Sequence, residues 1–77
     1  MITGGQIRAA RAFLRWSAED LAAKAKVSTQ TVRRAEREDG VPNMLAGNME
    51  AIQRALEKAG ISFIDGDAPG LKFLGRG

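Results

Sequence analysis

Seventy-seven residues without a cysteine or a histidine make one domain that no disulfide can staple, and they leave no raw material for Cys/His zinc sites or for Ser-His and Cys-His nucleophile pairs. Twelve Lys/Arg against nine Asp/Glu give a net charge of +3, and the acids stand mostly at helical spacing beside basic residues, which is the pattern of a solvated helix face rather than of acid/base catalysis. No apolar run approaches the ~20 residues that cross a bilayer and no charged-then-apolar signal opens the chain, so the expectation is a cytoplasmic, non-membrane, non-enzymatic protein that carries no cofactor.

Three successive segments open with a helix-start signature. Thr3-Gly4-Gly5-Gln6 reads as a capping box, with Ile2 and Ile7 placed as a hydrophobic staple, and predicts a helix over 4–14 that buries Ile7, Ala10 and Leu14. Ser17-Ala18-Glu19-Asp20, with Trp16 and Leu21 as the staple, predicts a second helix over 18–25 facing inward with Leu21, Ala22 and Ala25. Trp16 is read as part of that staple rather than as a stacking platform for single strands. Ser28, flanked by Val27 and Val32, predicts a third over 29–37 with Val32 and Ala35 inward. Only Lys26 and Val27 separate the second helix from the Ser28 cap, a link that favours a steep crossing of the helix-turn-helix kind.

Residues 39–47 hold two glycines and a proline and read as a loop. Asn48 is then expected to cap a fourth helix over 49–59, with Ile52, Leu56 and Ala59 toward the core and Gly60 as its stop. The runs 61–64 and 71–74 are β-type and flank a turn-rich linker, which predicts a small hairpin. The fold class expected is all-α, a compact four-helix domain over 1–60 with a β-type tail over 61–77.

Charge is concentrated on the third helix and its approach. From Lys24 to Arg37 five basic residues (Lys24, Lys26, Arg33, Arg34, Arg37) meet one acid, Glu36, and a local basic patch suits a polyanion. With Val32 and Ala35 packed, Thr29, Gln30, Arg33 and Arg34 are left outward. Gln pairs bidentately with adenine, Arg with guanine and a Thr methyl with thymine, each good bidentate pair discriminating by roughly 1–3 kcal/mol. Ser28 and Thr31 suit phosphate. Lys24 and Arg37 are read equally well as a solvated face or, for Arg37, as a phosphate contact.

Residues 6–38, QIRAARAFLRWSAEDLAAKAKVSTQTVRRAERE, resemble the helix-turn-helix core of the phage-repressor (Xre/Cro-type) family through Arg11, Ser17, Leu21-Ala22, Val27-Ser28, Val32 and Glu36. The resemblance implies that Thr29, Gln30 and Arg33 meet bases, that Arg34 meets a base or the backbone, and that Arg11 and Glu36 form a structural ion pair. Two departures stand out. Ala18 replaces a Gln that commonly touches phosphate, so that anchor is either lost here or replaced by Thr3, Gln6 or Arg15. Lys26 replaces a glycine, and in a left-handed conformation it would carry a steric cost of about 1 kcal/mol that a phosphate contact would offset in function.

A single helix reads few base pairs, so a homodimer on a near-palindromic double-stranded operator is expected. The apolar tail residues Ile61, Phe63, Ile64, Leu71, Phe73 and Leu74 are the candidate interface, unless the hairpin simply packs on helix 4 of its own chain. The expected function is a transcriptional regulator, a repressor before an activator, acting on a short operator of which its own gene's is one candidate. The alternatives are the antitoxin of a toxin-antitoxin pair, for which the tail offers little neutralising material, and a protein-interaction adaptor, which would place acids or apolar residues on helix 3. Four short helices leave no room for a sizeable small-molecule pocket, so no such ligand is expected.

Overall fold

α1 (Gly4–Leu14), α2 (Ala18–Ala25) and α3 (Thr29–Glu36) begin where Thr3, Ser17 and Ser28 cap them in the computed structural model, which describes residues 2–75. Thr3 Oγ1 accepts from the Gln6 N–H at 3.0 Å while Gln6 Oε1 accepts from the Thr3 N–H at 2.8 Å. Ser17 and Asp20 form the same reciprocal pair, at 2.9 Å in both directions, and Ser28 Oγ accepts from the Thr31 N–H at 3.0 Å. Each cap occupies a donor that the first helical turn leaves without an intrahelical partner, so a few residues of local sequence determine each start. α3 ends at Glu36, one residue short of its expected span.

α1 and α2 both end in a left-handed residue, Arg15 (φ 59°, ψ 36°) and Lys26 (φ 59°, ψ 42°). In each case an apolar residue and then the capping serine of the next helix follow, so connectors 15–17 and 26–28 are built alike.

Ile7 and Ala10 of α1, Leu21, Ala22 and Ala25 of α2, Val32 and Ala35 of α3, and Met49, Ile52 and Leu56 of α4 (Ala46–Lys58) meet in one core with Ile2 and Ile61. Leu14 and Ala59, expected inside, are half-buried. α2 lies against α3 and α4, and α1 against both as well. α4 begins at Ala46, earlier than expected, with Leu45 in the cap position and no side-chain cap; Asn48 lies in the first turn instead of capping it. The Leu45 carbonyl accepts from the N–H groups of Asn48 (3.1 Å) and Met49 (3.2 Å), and Met49 is buried, so backbone closure and packing replace the side-chain cap.

After α4, Gly60 (φ +102°) turns the chain into an antiparallel hairpin of β1 (Ile61–Ile64) and β2 (Gly70–Phe73), in register Ile61↔Phe73 to Ile64↔Gly70. A Cβ at Gly60 would come within 2.4 Å of the Gly75 carbonyl oxygen, so glycine is required there twice over, by conformation and by space. β1 packs on α4 and β2 on α1. The molecule is thus mostly helical, with a short two-stranded appendage. No helix among the described residues is long and apolar enough to cross a membrane.

Candidate nucleic-acid interface

α3 carries the candidate surface, and its amphipathic sequence explains which face is free. Val32 and Ala35 are fully buried against the core, while Gln30, Arg33, Arg34 and Arg37 are exposed and Thr29 and Thr31 half-buried. Ser28 Oγ and Thr31 Oγ1 lie 2.8 Å apart at the start of the helix, and no acid occupies its first turn. By contrast the first turn of α2 holds Glu19 and Asp20. The positive end of α3 therefore remains uncompensated by its own side chains, whereas that of α2 is neutralised. The Asp20 carboxylate accepts from the Ser17 backbone N–H, and the Asp20 N–H donates to the Ser17 hydroxyl; the closeness of these Ser17 groups holds its carboxyl below the usual pKa.

A polar clasp fixes α3 to α1. Arg11 Nε and Nη2 donate to the two Glu36 carboxylate oxygens at 2.8 Å each, and Nη1 donates to the Trp16 carbonyl at 3.0 Å. The Glu36 side chain is 9% exposed and that of Arg11 26%, so the pair is largely withdrawn from water; its hydrogen bonds raise the Arg11 pKa further above its ordinary value. Arg8, which the sequence did not single out, donates to the Glu36 carbonyl and to the Asp39 carboxylate, tying down the chain as it leaves α3. The Gly4 N–H donates to the Gly40 carbonyl at 2.8 Å, and a Cβ on Gly4 would fall 2.0 Å from the Glu38 carbonyl oxygen and 2.6 Å from that of Ala35. The start of α1 and the end of α3 thus touch backbone to backbone.

Gln6 does not belong with the phosphate contacts. It is 4% exposed, and beyond its capping role its Nε2 donates to the carbonyls of Ile64 (3.0 Å) and Gly70 (2.7 Å), holding the turn end of the hairpin against α1. Thr3 Oγ1 is engaged by Gln6 as well. Of the candidates for the role left open by Ala18, only Arg15 is exposed; Ala18 itself is buried. Lys26 is exposed at the foot of α3 in its left-handed conformation, and Arg15 occupies the matching place before α2. Arg33 Nη2 donates to Glu19 Oε2 at 2.9 Å, a pairing the sequence reading missed because the two residues sit on different helices. Trp16 is half-buried beside the core, with the Lys24 ammonium 5.2 Å from its ring centre.

No family model matches the chain, and no curated protein does.

The tail residues divide three ways. Ile61 is 2% exposed and part of the chain's own core, which removes it from the candidate dimer surface: its side chain is spent on α4. Phe63 and Leu71 are half-buried and pack on that core from outside. Ile64, Phe73 and Leu74 are exposed, and they are joined by Phe13 of α1, whose ring lies 4.8 Å from that of Phe73. Phe13 falls off the Ile7–Ala10–Leu14 stripe, and that misfit was the available sign that α1 has an apolar residue pointing away from the core.

Proposed function

We propose that the protein is a sequence-specific, double-stranded-DNA-binding transcriptional regulator of the helix-turn-helix type, in which α3 enters the major groove. The observation that carries this reading is the outer face of α3. Gln30, Arg33 and Arg34 are exposed together on a helix whose other face is packed and whose first turn holds no acid, and Arg37 is exposed just past its end. Amide and guanidinium side chains on a rigid helix suit base edges, and the uncompensated helix end with Ser28, Thr31 and Lys26 beside it suits phosphate. The resemblance of residues 6–38 to Xre/Cro-type regulators supports the same assignment, and the Arg11–Glu36 clasp accounts for how α3 is held at a fixed angle to α1. The protein acts in the cytoplasm as a homodimer on a near-palindromic operator, repressing transcription and regulating its own gene.

Fluorescence-polarisation binding to the chain's own upstream DNA and to a scrambled duplex, each at two salt concentrations, tests this. The expected result is a preference of about a thousandfold for one operator-containing duplex, with affinity falling as salt rises. Weak and equal binding to both, persisting across a random-duplex selection, would overturn it.

A further inference from the structure

Arg33 and Arg34 are neighbours on α3, yet they stand in different electrostatic settings. Arg33 is held by Glu19 at 2.9 Å, whereas Arg34 makes no ion pair among the described residues. Both members of the pair are about 60% exposed (61% and 62%), and an ion pair so open to water adds little to folding stability. What the pair does is favour one direction of the guanidinium. One contact uses one N–H of Nη2, and the remaining N–H groups still include two parallel donors for the O6 and N7 of guanine.

A phosphate meets a different reception. It would bring a second negative charge beside Glu19, which repels it, while the neutral edge of a base pair carries no net charge to be repelled. Glu19 reaches Arg33 from the exposed first turn of α2, and its charge also acts on Arg11 of α1. Asp20 cannot substitute for it, being engaged with the Ser17 cap.

We infer that Glu19 is a specificity-determining positioning residue, which aims the Arg33 guanidinium at a guanine edge and keeps it off the phosphate backbone. The inference rests on the DNA-binding reading above. Through Glu19 the protein gives up sequence-independent affinity and gains discrimination at one base pair. Arg34, without such a partner, contributes more to general attraction.

The test selects bound duplexes from a random pool with the wild-type chain, E19Q, R33Q and the double variant, then measures binding to the selected and scrambled duplexes at two salt concentrations. Glu19→Gln leaves the Ser17–Asp20 cap intact, so thermal melts serve as a folding check. The expected wild-type consensus contains a G·C pair whose preference disappears in R33Q. In E19Q, discrimination at that pair falls about tenfold, scrambled-duplex affinity rises several-fold, and the salt slope for scrambled DNA steepens by about one contact. In the double variant, E19Q adds no further loss at that pair. Undiminished discrimination at that pair in E19Q, or an R33Q consensus identical to wild type, overturns the inference and leaves DNA binding standing. A wild-type chain that selects no consensus overturns the DNA-binding reading and the inference with it.

Discussion

Two basic residues occupy left-handed conformations that a side chain makes costly, and the structure gives neither a stabilising return. Lys26 (φ 59°) and Arg15 (φ 59°) are both exposed, and neither forms an ion pair among the described residues. Lys26→Gly should raise stability by about 1 kcal/mol, a melting-temperature gain of roughly 4–8 °C, and Arg15→Gly should act similarly. About 12 Å of helix separates the two sites, so the double variant should gain nearly the sum. If the charges serve phosphate, operator affinity falls as the melting temperature rises; a thermal melt without stabilisation, or unchanged affinity by polarisation, counts against this. Asp20 gives a second prediction at this scale, with a definite sign. Its folded-state pKa is lowered from 3.8, chiefly by the Ser17 backbone N–H and then by the hydroxyl. Its contribution to stability is therefore fully present above the unfolded pKa and disappears as pH falls through the lower folded one. The melting-temperature gap between wild type and Asp20→Asn should be constant above pH about 4 and close below it.

At the scale of elements, the structure hangs on junctions where one segment's backbone depends on another's side chain or on the lack of one. Gly4 is the sharpest case. Gly4→Ala drives a Cβ into two backbone carbonyls at the end of α3, neither of which is a flexible side chain able to move aside, and should cost 3 kcal/mol or more by an order-of-magnitude reading of overpacking (~1–3 kcal/mol in yielding cores). Gly5→Ala, whose nearest neighbour is the Asp39 carbonyl oxygen at 3.4 Å, should be near neutral, helix propensity offsetting the contact. Urea melts of the two variants make the comparison. Such junctions also mark the limit of what sequence shows. The three caps were legible because their donors and acceptors lie three residues apart, and the helices they open then follow from apolar spacing. The start of α4 was not, since Asn48 offers cap chemistry but the turn is closed by the Leu45 carbonyl and the burial of Met49. Gln6 was misplaced for the same reason on a longer scale: the carbonyls it serves lie 58 and 64 residues away. Local chemistry identified Gln6 as a polar residue at a helix start, and only the closing of the hairpin over α1 decides that it is buried.

At the scale of the whole molecule, the large exposed apolar side chains among the described residues fall in two places, Val41 and Leu45 on the loop before α4 and a second group where the hairpin meets α1, and the second is the larger. Phe13 (56% exposed), Leu74 (71%) and Phe73 (43%) are its large members, with Phe13 and Phe73 in ring contact; Ile64 (39%) is exposed too, but on the hairpin face opposite Phe73, whose cross-strand partner is Ile61. The hairpin has two strands only, so each keeps an unpaired edge among the described residues. A second copy related by a two-fold axis would cover the aromatic patch with its own equivalent and could pair the free edge, which suits the proposed dimer on two half-sites. The test needs substitutions that reach the interface without reaching the core. Phe13 and Leu74 are the most exposed of the four, whereas Ile61 is a core residue whose truncation would destabilise the monomer. Phe13→Gln with Leu74→Gln should convert a dimer to a monomer by light scattering while costing the monomer about 0.5–1.5 kcal/mol at Phe13, for the lost ring contact with Phe73, and within about 0.5 kcal/mol at Leu74. Affinity for a two-half-site operator should then fall by a hundredfold or more, as two recognition helices no longer bind as a unit, and affinity for a single half-site should stay the same. A wild-type chain that scatters as a monomer on and off DNA, or a double variant that remains dimeric, would exclude this patch as the dimer surface. The half-site measurement separates assembly from reading: it depends on one protomer's α3 and the phosphate contacts beside it, so a loss there would mean that Phe13 or Leu74 supports the fold of the reader itself.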